Sequence, residues 1–291
     1  MKNPKRVVII EAVVIIILIL IIISLLISSF KANQAEYCAA HYYDNKVCLL
    51  SPRVYSGIVK PNSFLIFNYD SIKQNIQNYI EKNKFDISVY VLNLRDSASF
   101  GINATNSYRA VSLNKLPIAF IILKKVEEGK LTLDTMLPIY DRDRDADSGT
   151  LYSTPLHELS VRELLRYMLS YSDNTASNVL EEQATLQDLQ GLAYYLDYYE
   201  IESPASNIFE VTPKSVSGIF SSLYLSTALA PENSELIMSY LSNTSFDIKK
   251  YANLPDEVVV AQKYSSYFSK NESLLHSCGI IYVQESRFFY C

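Results

Sequence analysis

The strongest pattern along this chain is an unbroken apolar run. Residues Val7 to Ile27 are hydrophobic over 21 positions, with only Glu11 and Ser24 interrupting. At ~1.5 Å per residue a helix of that length spans the ~30 Å hydrocarbon layer of a bilayer. Lys2, Lys5 and Arg6 precede it, which predicts a cytoplasmic N-terminus and an exported remainder. The run exceeds a signal-peptide core and no A-x-A-like site follows, so a signal anchor is expected rather than a cleaved leader. Residues 28–61 carry Pro52, Gly57 and Pro61 without sustained periodicity and read as an extracytoplasmic linker.

From residue 62 the pattern becomes that of a globular domain. Ile72, Ile76, Tyr79 and Ile80 recur at helical spacing behind Ser71-x-x-Gln74, a capping-box arrangement. Ile87 to Leu94 is β-branched and aromatic and predicts a strand; Arg95-Asp96-Ser97 predicts a turn, and Ser99 to Ala104 a returning strand. A second helix is expected to open near Ser112, run through Val126 and stop at Gly129. Ser160-x-x-Glu163 caps a third, with Leu164, Leu165, Met168 and Leu169 on its apolar side. Glu257 to Ser266 and Leu275 to Val283 read as strands, and Phe288 to Cys291 starts another.

Composition and charge narrow the classes. The 291 residues are 49% hydrophobic, enough for a sizeable core beside the membrane segment. A net charge of −5, with no basic run interleaved with aromatics, excludes a nucleic-acid surface. Export allows Cys38 and Cys48 to pair. Cys278 and Cys291 could face each other only if a turn at Gln284-Glu285 sets the register; two buried free thiols are expected there. No C-x-x-C accompanies the cysteines, so no zinc site is expected. Asp141 to Gly149 alternates aspartates but has Ala146 and Tyr152 where a calcium loop needs Gly and Glu, and reads as a solvated acidic loop. His41, His157 and His276 are the three histidines and form no Ser-His-Asp set.

Three polar stretches carry candidate chemistry. Ser112-x-x-Lys115 places a hydroxyl and an ammonium on one helix face, where they would meet. A lysine with a depressed pKa can take the serine proton and make it nucleophilic. Alone, this pattern recurs by chance in many helices. Ser172-Asp173-Asn174 lies between two helical stretches; its serine can relay a proton and its amide can hold a carbonyl or a lysine, yet a plain helix N-cap would also explain it. Lys263 sits in the strand Glu257 to Ser266, where it can hold a carboxylate or serve as an ordinary strand-end lysine. The Ser266 and Ser112 amides could together form an oxyanion hole.

Taken in order, Ser112-x-x-Lys115, Ser172-Asp-Asn174 and Lys263-Tyr-Ser265 resemble the S-x-x-K, S-D-N and K-T-G series of class A β-lactamases and penicillin-binding proteins. Tyr108-Arg-Ala-Val-Ser112, Val126 to Asp134, Ser170 to Ala176, Thr212-Pro213 and His276 to Ile281 are similar to stretches of that family too, so the likeness spans about residues 64–291. The resemblance implies an α+β fold: an antiparallel β-sheet flanked by helices, plus an all-helical subdomain from the Ser112 helix to about Asn253. It implies Ser112 as nucleophile, Lys115 as base, Ser172 as proton shuttle, Asn174 as a contact to substrate and lysine, and Lys263 as carboxylate anchor. Asp173, Ser265 and Ser266 fall on the substrate side. The substrate would be a β-lactam or a D-Ala-D-Ala-like peptidoglycan stem peptide, with no metal or organic cofactor.

The departures are specific. Nothing between Ser172 and Thr212 matches the family's E-x-x-L-N loop, whose Glu activates the deacylating water; Glu200 and Glu202 are the only substitutes in that interval and read as surface carboxylates. Tyr264 stands for a small hydroxyl residue, and Ser265 for a Gly whose missing Cβ leaves room for substrate. The chain stops at Cys291, halfway along a strand expected in the middle of the sheet, and so reads as a fragment that leaves a gap there. Two functions follow from this balance: an acyl-transferring serine hydrolase, or a catalytically impaired relative serving as a surface binding module.

Overall fold

The computed structural model describes residues 68–291 apart from 85, 199, 204–207, 271 and 284–285. The apolar run 7–27, the linker, Cys38, Cys48, His41 and the Gln284-Glu285 turn lie outside the described residues. Among those described, no helix is long and apolar enough to cross a membrane.

Five antiparallel strands form the main sheet: β1 (Val89–Asn93), β2 (Ser99–Ile102), β8 (Val259–Phe268), β9 (Ser273–Val283) and β10 (Ser286–Tyr290), in the order β2-β1-β10-β9-β8. The gap expected at the chain's end is filled as far as Cys291. β10 lies between β1 and β9, and Cys291 and Tyr90 exchange backbone hydrogen bonds of 2.9 Å in both directions. Its Phe289 is fully buried, its ring 5.5 Å from Phe220 of α6 (Pro213–Leu225), which packs across β1, β9 and β10. α6 begins where Thr212 accepts from the Ser215 amide and Pro213 fills the first turn, a position that needs no N–H.

The hairpin register decides the cysteines. Tyr290 pairs with Gly279, so the next pair outward brings Cys278 opposite Cys291, and the two are joined in a disulfide. The free thiols expected from sequence are thus corrected by the alignment of β9 with β10.

The other part is built around α2 (Lys115–Glu127). Nine consecutive residues of it, Lys115 to Leu123, are buried, as befits a helix enclosed on all sides. Around it lie α3 (Val161–Ser170), α4 (Asn174–Glu181), α5 (Leu186–Leu196), α7 (Pro231–Ser242) and α8 (Ile248–Ala252). This part is not all-helical, as the family likeness implied. It holds a pair of β4 (Met136–Pro138) with β5 (Glu158–Ser160), and a three-stranded sheet in which β7 (Ile208–Val211) lies between β3 (Tyr108–Arg109) and β6 (Glu200–Ser203). These strands are two to four residues long, too short for alternation to show in the sequence.

Ser160 caps α3 as expected, accepting from the Glu163 amide at 3.3 Å, and Leu164, Leu165, Met168 and Leu169 are buried. The first helix is different. α1 (Asp70–Asn83) starts one residue before the expected box and uses no side-chain cap at Tyr69; Asn68 accepts from the Asp70 amide instead. α1 buries no residue completely, and Ile72 and Tyr79 are exposed, so its apolar stripe only rests against β2.

β8 carries the site, and its distance from β9 is set at Gly279. A Cβ built there would overlap the Ala261 carbonyl oxygen and lie 2.8 Å from Cα of Gln262, the residue before Lys263. Gly279→Ala must therefore push β8 away, at a cost of about 2 kcal/mol for overpacking. The expected result is a lower urea midpoint with the slope unchanged; an unaltered midpoint would show that the strands yield freely.

Candidate functional site

Three chain segments meet under the β8 edge. The first is the turn Val111–Asn114, a 3-10 helix rather than the opening of an α-helix, with α2 continuing from Lys115. Val111 enters it with φ +48°, a left-handed conformation that a β-branched residue rarely adopts. The second is the bend between α3 and α4, where Ser172 is also left-handed at φ +54°. The third is β8 itself. Backbone held in sparsely populated regions on both sides of one site fits a functional constraint.

The side chains form one polar hub. Lys115 Nζ donates to the Ser172 carbonyl and to Asn174 Oδ1, each at 2.6 Å, and reaches Ser172 Oγ at 3.3 Å. Lys263 Nζ donates to the same hydroxyl at 2.8 Å and to the Tyr264 carbonyl at 3.0 Å. Ser172 Oγ therefore accepts from two amines and keeps its own proton free to give. Lys263 is fully buried in mid-strand, not an ordinary lysine at a strand end.

Ser112 stands beside this hub without joining it. Among the described residues no hydrogen bond links its Oγ to Lys115, because the three acceptors around that ammonium come from Ser172 and Asn174. The direct contact expected from the spacing is thereby corrected, although apo sites often tighten only around a substrate. The Ser112 backbone N–H is engaged: it donates to Ser265 Oγ at 2.9 Å. Ser266 follows on β8, half-buried.

Asp173 does not reach the substrate side, where the family likeness put it. It is completely buried, Oδ1 accepting from the Ala176 amide and Oδ2 from the amides of Thr150 and Leu151. The plain N-cap reading holds for this residue, while its two neighbours face Lys115. The carboxylate also pins the acidic loop, and Gly149 (φ +95°) allows the approach, since a Cβ there would overlap Asp173 Oδ2. Within that loop Asp143 is buried and accepts from the Tyr140 amide, so it is less solvated than expected. No group of side chains able to hold a metal ion occurs among the described residues.

Two neighbours, Tyr198 and Glu181, escaped the sequence reading. Tyr198 is fully buried and its hydroxyl donates to the Leu113 carbonyl at 2.9 Å, bracing the Ser112 turn from below. Glu181, seven residues after Asn174 on α4, shares its helix face and lies within electrostatic reach of Lys115. The side chains of Glu200 and Glu202 lie outside the described residues. Tyr264 turns its ring onto Phe246, 4.1 Å away and 14° from parallel, and Phe246 in turn stacks on Tyr251. His276 Nε2 donates to the Arg109 carbonyl at 2.9 Å, and burial lowers its pKa.

Electrostatics set the protonation. Burial brings the Lys115 pKa down to about 8, against the opposing charges of Asp173, Asp145 and Glu181. Burial also pushes Lys263 well below the ordinary lysine value, and the charge on Lys115 adds to that. Glu181 moves up through burial, opposed by Lys115. Such a pair of depressed amines around one hydroxyl can take and pass protons near neutral pH.

Comparisons with known proteins identify the family and the fold. Residues 71–291 match the beta-lactamase enzyme family, and the chain belongs to it. It is 22% identical over 211 residues to beta-lactamase SME-1 of Serratia marcescens, covering 68% of this chain and 72% of that protein. A beta-lactamase of Phocaeicola vulgatus is 34% identical over 96 residues, 31% of this chain and 29% of the relative. Among solved structures, the TLA-3 extended-spectrum beta-lactamase has a TM-score of 0.70 at 22% identity, covering 77% of this chain and 89% of that one. PBP-A has a TM-score of 0.66 at 19% identity, covering 76% and 85%. At these identities the structures establish the shared β-lactamase/transpeptidase-like α+β fold.

The depressed lysine has a consequence for stability. In the unfolded chain Lys115 titrates near ~10.4; folded, it does so at about 8. Between these values the unfolded chain holds the extra proton, so stability rises with pH across that window. In urea titrations from pH 7.5 to 10.5, wild type should gain on the order of 2–3 kcal/mol relative to Lys115→Met. A difference that stays flat with pH would mean the buried amine is not depressed.

Proposed function

We propose that this chain is a serine acyl-transfer hydrolase acting on β-lactams or D-Ala-D-Ala-like amides, with Ser112 as nucleophile. The observation that carries the reading is the continuous network Lys263–Ser172–Lys115–Asn174 assembled beside the Ser112 turn. Neutral Lys115 takes the Ser112 Oγ proton as that oxygen bonds to the carbonyl carbon. The carbonyl electrons move to oxygen, held by the Ser112 and Ser266 amides. The oxyanion pair then re-forms the carbonyl as the C–N bond breaks, and Ser172 gives its proton to the leaving nitrogen and recovers one from Lys115. Asn174 contacts the substrate amide, and Lys263 anchors the substrate carboxylate. No metal or organic cofactor enters the scheme, and nucleic acid is not a partner.

The acyl-enzyme is expected to persist. Among the described residues no carboxylate is hydrogen-bonded to Ser112 or Lys115, and Glu181 is coupled to Lys115 only through space. A PBP-A point mutant, similar in fold, was captured as an acyl-enzyme complex with penicillin G. By the same reading, the 7–27 run anchors the chain in the membrane with residues 62–291 outside the cytoplasm, where such substrates occur. A binding module without turnover is the second reading; the occupied Ser112 amide favours it.

Incubating the full-length chain, solubilised in detergent, with a fluorescent penicillin tests the choice. Stable covalent labelling that disappears in Ser112→Ala is expected, and its rate should climb with pH and level off above about 8 as Lys115 loses its proton. Absence of labelling in a folded sample leaves only the binding module, and rapid release of the label would require a deacylating base not identified among these residues.

A further inference from the structure

The inference rests on the acyl-transfer reading and concerns Ser265. Its side chain lies on the same face of β8 as Lys263, two residues earlier, because strand side chains alternate. It is 1% exposed. Its hydroxyl accepts the Ser112 N–H at 2.9 Å and donates to the Ala110 carbonyl at 3.4 Å, so both of its hydrogen-bonding functions are in use. The Ser112 N–H is the donor that a carbonyl oxygen must use when the Ser112 hydroxyl attacks. In the structure that donor already has an oxygen on it.

We propose that Ser265 is an internal occupant of the oxyanion position, a side-chain stand-in for the substrate oxygen that must leave before acylation. Three features make it more than a passing contact. The hydroxyl is bonded at both ends and bridges the strand to the turn Ala110–Ser112. It is buried, so no solvent offers it an alternative partner. And Tyr198, donating to the Leu113 carbonyl, holds the turn from its other side, so the Ser112 amide cannot swing away to a second position. A substrate oxygen can reach the amide only by displacing the hydroxyl. Ser265 then selects for carbonyl oxygens that accept strongly and lie fixed in place, and rejects flexible amides that compete poorly with a bond formed within the chain.

The test compares the full-length wild type with Ser265→Ala and Ser265→Gly. The second-order rate constant for labelling by a fluorescent penicillin is measured in detergent, alongside thermal unfolding. A net hydrogen bond between neutral groups must be exchanged for each acylation, so removing the hydroxyl should raise the rate by roughly three- to tenfold. Gly should gain at least as much as Ala, because it also clears the Cβ. Ser265→Ala loses a single oxygen and keeps the comparison available should the glycine variant fail to fold.

If wild type labels and neither variant is faster, Ser265 is no obstacle; the inference falls and the acyl-transfer reading stands. If the variants are slower, the hydroxyl assists as an extra donor, and the inference is likewise overturned. If wild type is silent and a variant labels, both the site and its self-occupation are supported. Folded samples of all three that never label remove the acyl-transfer reading, and the inference with it.

Discussion

Two ammonium groups buried within reach of one hydroxyl are the constraint around which this molecule is built. Among the described residues neither Lys115 nor Lys263 has a carboxylate partner in direct contact; both rely on neutral oxygens from Ser172, Asn174 and the backbone. Burying an ammonium costs several kcal/mol unless it is satisfied or discharged, and burial lowers both lysine pKa values, for Lys115 against the nearby charges of Asp173, Asp145 and Glu181. Both lysines also arrive from different layers, one opening α2 and the other in mid-β8. The contact therefore couples the sheet to the helical part in one polar cluster.

What holds the cluster is a second set of residues that never touch it from solvent. Ser172 can present its carbonyl and its hydroxyl to two lysines only because its backbone is left-handed. That conformation is fixed by the next residue: the Asp173 carboxylate starts α4 and binds two amides of the facing loop. Gly149 permits the loop to come that close. On the opposite side, Tyr198 and Ser265 tie down the backbone on either side of Ser112. Positioning of this kind, by buried hydrogen bonds and packed rings, is what turns a spacing of residue types into a site.

Much of this was legible in the chain because it repeats at short range. The strands at 87–94 and 275–283 and the Leu164 to Leu169 stripe declare themselves through period and propensity, and Lys115, Ser172, Asn174 and Lys263 meet in one hydrogen-bonded cluster with the Ser112 turn beside it. What failed depends on distances no local pattern encodes. The cysteine pair needed a hairpin register, and β4 to β7 are too short to alternate. α1 drew its cap from Asn68, before the sequence box. Asp173 has the same residue type whether it faces substrate or the protein interior, and only the fold turns it inward.

Ser265 shows where sequence reasoning and geometry part in substance. From the chain alone, a serine in place of a glycine beside the nucleophile reads as steric bulk, a Cβ in the path of a ligand. The structure makes its oxygen the more consequential atom, since it takes the Ser112 amide, one of the two backbone donors that a bound carbonyl would need. Bulk would merely narrow the site, and a wider ligand would suffer most. An internal acceptor competes with every ligand that uses the amide, whatever its width, and its effect scales with acceptor strength. The site is thus closed by chemistry more than by shape: its lysines and hydroxyls are assembled, and the remaining barrier is an exchange of hydrogen bonds at Ser112.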